Sequence, residues 1–160
     1  MENVRAQDRA RGRGWRGLTQ WLAMLWIGAM ALLGVAAGAQ AQIVMGSQTI
    51  TASKDSNNAG QAEAFKVTAS ASSTVASISV YVDTGSAATK LVAGLYADNA
   101  GVPGALLTQG TLNAPVAAAW NTVPVPGVQV TAGTAYWIAI LSPNGTGILR
   151  FRDTSKGGRS

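Results

Sequence analysis

An all-β fold, a single antiparallel β-sandwich, is what this sequence predicts, and three observations predict it. The first is residues 128–141, VQVTAGTAYWIAIL, two apolar runs divided by Thr131, Ala132 and Gly133. In the second run Tyr136, Ile138 and Ile140 fall on one face and Ala135, Trp137, Ala139 and Leu141 on the other. Neither face is polar, so the strand is central and covered on both sides. The second observation is the alternation of Ala76, Ile78, Val80 and Val82 with Ser77, Ser79, Tyr81 and Asp83, the pattern of a strand with one wet face. The third is the roughly even spacing of such runs between clusters of Gly, Pro, Asn, Asp and Ser, as sandwich sequences read.

A chain of 160 residues suits one domain, and at that size roughly two-thirds of the unfolded surface can be buried without disulfides or metals. Cysteine and histidine are both absent, which removes disulfides, thiolate nucleophiles, and the commonest general base and metal ligand. The formal charge of +5 does not mark a nucleic-acid surface. Arg5, Arg9, Arg11, Arg13 and Arg16 precede the apolar run, against Glu2 and Asp8. Beyond them Lys54, Lys66, Lys90, Arg150, Arg152, Lys156 and Arg159 are interspersed with Asp55, Glu63, Asp83, Asp98 and Asp153. A domain so weakly basic, with no dense stripe, is not expected to bind nucleic acid.

Residues 1–17 are Arg-rich, and residues 18–37 form an almost uninterrupted apolar stretch closed by the A-x-A sites Ala37-Gly38-Ala39 and Ala39-Gln40-Ala41. That is the tripartite form of a secretory signal, a helix removed on export. Cleavage after Ala41 would start the mature chain at Gln42. The run also approaches the roughly 20 residues that span a bilayer, so a membrane anchor formed by residues 18–37 is the alternative. Both place the domain outside the cell. Residues 12–17 satisfy G-x-G-x-x-G, but no strand delivers those glycines to a helix N-terminus, and the match carries no nucleotide site.

Residues 42–51 alternate loosely through Ile43, Met45 and Ile50 and predict a first strand, followed by a polar loop over residues 53–60, SKDSNNAG. Asp55, Asn57 and Gly60 match the first, third and sixth positions of a calcium loop, but Ala59 and Lys66 occupy the fifth and twelfth. An EF-hand is thereby excluded; a looser calcium site using Asp55, Asn57 or Asn58 remains, beside the plainer reading of a solvated Asx turn. Strands are expected over residues 62–69, 76–83 and 90–97. A loop follows over residues 98–104, DNAGVPG, and further strands over 105–112, 120–125, 128–141 and 148–151. Residues 153–160 read as a loop.

The succession KLVAGLYADNAGVPGALLTQGTL, AAAWNTVPVPGVQVTAGTAYWIAIL and LRFRD resembles a β-sandwich module of bacterial secreted and cell-surface proteins, often found beside fibronectin-type-III or immunoglobulin-like repeats. Its most specific pieces are residues 101–104, Trp120-Asn121-Thr122-Val123 and residues 131–137. The resemblance implies a jelly-roll-like, extracellular, noncatalytic domain with no catalytic residues to carry over. Related sequences run past the Gly157-Gly158 loop into another strand, so the domain over residues 42–160 is expected to lack its final strand and to leave an edge open to self-association.

Chemistry-bearing residues are few. Tyr81, whose face neighbours are polar, and with it Tyr96 and Trp120, are the candidates for a ligand contact such as stacking on a sugar ring. Tyr136 and Trp137 are expected to fill the core. Glycoside hydrolysis needs two acids roughly 5–9.5 Å apart, and no pair of acids stands out in the sequence. Ser53-Lys54 and Ser155-Lys156 lie in loops and read as solvated turns, whereas a catalytic dyad would need a buried lysine. The expectation is therefore an exported structural or adhesive module that is not an enzyme and takes no cofactor, with calcium the one exception weighed. The alternative is a carbohydrate-binding module. The partner would be a glycan or a cell-surface protein.

Overall fold

The structure is a computed structural model and describes residues 42–154 together with the backbone of 158 and 159. The expected signal or anchor helix of residues 1–41 lies outside the described residues. Among those described, nine strands form: β1 (Ser53–Asn57), β2 (Ala62–Thr68), β3 (Ser73–Val82), β4 (Lys90–Asn99), β5 (Val102–Asn113), β6 (Ala119–Val130), β7 (Ala135–Leu141), β8 (Leu149–Asp153) and the two-residue β9 (Gly158–Arg159). No helix among the described residues is long and apolar enough to cross a membrane.

Two antiparallel sheets result, ordered β1-β8-β3-β6 and β5-β4-β7-β2-β9. The pairings are nested: β4 with β5, β3 with β6, β2 with β7 and β1 with β8. The first half of the chain is thus a ribbon answered strand for strand by the second half. The hinge is the β4–β5 turn, where Ala100 and Gly101 have φ of 51° and 86°. Positive φ at both central residues is the two-residue hairpin turn that suits strand twist. The expected loop over residues 98–104 therefore shrinks to two residues, and Asn99 pairs directly with Val102.

The sandwich is filled by the apolar phase of each strand. Ile78, Val80 and Val82 of β3, Val123, Val125 and Val130 of β6, and Leu149 and Phe151 of β8 share one cluster with Leu91, Ala93 and Leu95 of β4 and Tyr136 and Ile140 of β7. Each Val, Leu, Ile or Phe side chain among them stabilises by about 1.5–3 kcal/mol when fully buried. Phe65 of β2 meets Phe151 edge-on across the two sheets, with ring centroids 5.9 Å apart. Pro124 and Pro126 are accommodated because β6 is an edge strand, where a missing N–H breaks no ladder.

Four local expectations change. Within residues 153–160, expected to be a loop, Gly158 and Arg159 form β9 and pair with Phe65 and Ala64 of β2. Residues 42–51 form no strand, and the first strand is the polar segment Ser53–Asn57. Asp83, expected on a wet face, is buried by Arg152, whose Nε lies 3.0 Å from Asp83 Oδ2. Trp137 is buried, at 3% exposure, but outside the shared core. It points away from its neighbour Tyr136, onto the outer face, where Nε1 donates to Asp98 Oδ1 at 2.7 Å and Lys66 Nζ stands 5.9 Å from the ring centroid.

Candidate functional site

Two groupings emerge from residues distant in sequence. The first lies on the outer face of the four-stranded sheet. Antiparallel register sets Tyr81 of β3 directly opposite Trp120 of β6, and directly opposed residues share a face. Their rings meet edge-to-face, with centroids 5.7 Å apart at 69°, a favoured aromatic geometry. Trp120 remains 40% exposed. One rung along, Ser79 and Thr122 hydroxyls are 3.2 Å apart. Tyr96 does not join them: it lies on β4 of the other sheet, and a Cβ on Gly94 would stand 3.2 Å from its Cε2.

Asn121, between Trp120 and Thr122, faces inward and fixes the loop before β6. Its Oδ1 accepts from Val116 N–H at 2.7 Å, and its Nδ2 donates to Val116 O at 2.8 Å and to Ala119 O at 3.0 Å. The Trp-Asn dipeptide thus combines an exposed ring with a buried brace.

The second grouping lies at the edge where β1 and β8 face β2. Asp55 is opposite Phe151 and Asn57 opposite Leu149, so Asp55 and Asn57 share the inner face of their sheet with those core residues. Asp153, two residues beyond Phe151, has the same phase. Glu63 is opposite the core residue Ile140 and faces inward from the other sheet. Carboxylate oxygens of Asp55, Glu63 and Asp153 all lie within 4.8 Å of one another.

Asp55 is exposed, whereas Glu63 is only 8% exposed. Burial, then the negative charges of Asp55 and Asp153, raise the Glu63 pKa, and Asn57 partly opposes them. Burial and the charge of Asp55 likewise raise that of Asp153, opposed in part by its own backbone N–H and then by Ser53. Asn57 is aimed at the Glu63 carboxyl and is 4% exposed, yet its Nδ2 completes no well-formed hydrogen bond. Asn58 is exposed in the β1–β2 turn, where its N–H donates to Gln61 Oε1 at 3.3 Å.

Of the calcium candidates named from sequence, Asp55 is one of the three acids and Asn57 lies beside Glu63, while Asn58 is exposed in the turn that follows β1. Glu63 and Asp153 were missed. Their signal was phase: Glu63-x-Phe65-x-Val67 and Leu149-x-Phe151-x-Asp153 each place an acid in the apolar register.

The remaining acids among the described residues, Asp83 and Asp98, are matched by cations. Arg152 hydrogen-bonds Asp83 and holds its pKa below the usual range. Trp137 first and Lys66 second do the same for Asp98, with Lys66 Nζ 3.0 Å from Oδ1. Compared with known proteins, the chain matches no family model, no curated protein and no solved structure.

Proposed function

We propose that residues 42–160 are an exported, noncatalytic module of a secreted or cell-surface protein, jelly-roll-like in topology and structural or adhesive in role. The nested strand order supports the jelly-roll reading, since that fold is a long antiparallel ribbon wrapped into two sheets. The Arg-rich and apolar leader with its A-x-A sites supports export.

The way the carboxylates are held carries the noncatalytic reading. Asp83 and Asp98 are pinned as anions by Arg152 and by Trp137 with Lys66. Asp55, Glu63 and Asp153 gather on inner faces beside the core residues Phe151 and Ile140, with carboxylate oxygens within 4.8 Å of one another, rather than across an open cleft that would admit a glycosidic bond. Material released by expressing cells tests export: mass spectrometry should find a chain beginning at Gln42, and an intracellular product retaining residues 1–41 would overturn the reading.

The exposed Trp120 ring, buttressed by Tyr81 beside the Ser79 and Thr122 hydroxyls, favours carbohydrate binding as a second reading. Sugar rings stack on such faces through apolar C–H surfaces while hydroxyls pair with neighbouring polar groups. Retention on insoluble polysaccharide or a glycan array, lost in Trp120→Ala and weakened in Tyr81→Ala, would establish it. Equal retention of parent and variants would remove it.

A further inference from the structure

We infer that Asp55, Glu63 and Asp153, with the side-chain amide of Asn57, form a calcium site that clasps the two sheets together along the β1/β2 edge. The inference stands apart from the role proposed above. It begins from an anomaly of phase: three acids and an amide occupy positions that face the interior, where the same strands elsewhere place Phe65, Leu149 and Phe151. Gathering like charges on partly desolvated inner faces is unfavourable unless a cation offsets them.

The described basic side chains near these strands are directed elsewhere. Lys54, opposite Arg152, and Arg150, opposite Ser56, take the outward phase of β1 and β8. Arg152 is engaged by Asp83 and donates from Nη1 to the carbonyls of Thr51 and Ala52, each at 3.2 Å. Lys66, on the outward phase of β2, is held by Asp98.

Asn57 supplies the independent sign of a ligand. It is almost wholly buried and aimed at Glu63, but its amide nitrogen lacks a well-formed partner. Native interiors rarely leave a buried amide so. Rotating the amide by half a turn preserves its shape and presents the oxygen instead, which adds a neutral donor to three anionic ones.

The donor chemistry selects the ion. All four groups offer oxygen, and the chain has neither histidine nor cysteine, so a hard cation is favoured over zinc or copper. Two oxygens bound to one calcium at about 2.4 Å can stand at most about 4.8 Å apart, the separation within which these carboxylate atoms already lie. Asp55 is exposed, so water can reach the site and complete the flexible shell of 6–8 oxygens that calcium accepts, where magnesium demands a tighter, near-ideal octahedron. Asp55 and Asp153 come from one sheet and Glu63 from the other, so the bound ion ties the layers together.

Calorimetric titration of the full chain with calcium chloride, after removal of ions by EDTA, tests the inference alongside thermal melting. Binding is expected with a Kd of about 10⁻⁴–10⁻³ M, the range of extracellular calcium modules, together with a rise in Tm. The near-isosteric variants Glu63→Gln and Asp153→Asn should abolish the heat and the Tm rise, while melting in EDTA at or above the parent Tm because a repelling charge is gone. Asp98→Asn, on the outer face, should keep the calcium response. No heat or Tm change up to about 10 mM calcium, a response that survives both edge substitutions, or an equal response to magnesium would overturn the assignment.

Discussion

The two long edges of the sandwich are closed in different ways. Along β5/β6 the chain seals itself: a Cβ on Gly110 would run into the Pro124 carbonyl, and buried Thr108 donates from Oγ1 to Pro126 O at 2.8 Å. Backbone meets backbone there, with polar groups satisfied by the chain. Along β1/β2 the facing residues are Asp55, Asp153 and Glu63, whose charges repel at close quarters. The first edge needs only the missing side chain of a glycine; the second needs a charge from outside. The outer faces sharpen the lesson, because there Asp83 and Asp98 have cationic partners and are held ionised.

The largest expected effect breaks the self-sealed edge. Gly110→Ala should destabilise by about 3 kcal/mol or more, since the new Cβ displaces backbone rather than a flexible side chain. Urea denaturation checks this, and a loss below about 1 kcal/mol would mean that β5 and β6 separate easily. Asn121→Ala comes next at about 2–3 kcal/mol, because Val116 loses both of its partners and Ala119 O loses a donor. The same denaturation curves would show it.

The smallest effect is one of pH. Asp98 has a folded-state pKa below its ordinary 3.8, so its contribution is fully present above that value and is lost as pH falls through the folded pKa. Asp98→Asn should therefore be less stable than the parent at neutral pH, and the two should converge once the pH has fallen through the lowered folded-state pKa of Asp98. A pH-independent difference would show that lost packing, rather than charge, accounts for it.

Much of the core was legible in sequence because β3, β4 and β7 carry strict apolar phases that need no partner to be recognised. Tyr81 could be assigned to the outer face for the same reason. Its contact with Trp120 could not, since it depends on the register of β3 against β6. Trp137 shows the limit of reading burial from residue type: its ring is covered on the outer face by a lysine and an aspartate rather than by the core. The first strand was misplaced because Ser53–Asn57 contains no apolar residue. Its inward positions are Ser53, Asp55 and Asn57, so the polarity that concealed β1 is also what marks its edge as a site.

Hydrogen exchange, followed residue by residue with and without calcium, tests most directly the claim that one edge is sealed by the chain and the other by a cation. Calcium should slow exchange at the amides of β1, β2 and β8 around Asp55, Glu63 and Asp153, while the amides of β5 and β6 near Gly110 and Pro126 exchange at unchanged rates. Protection that rises equally at both edges, or at neither, would contradict it.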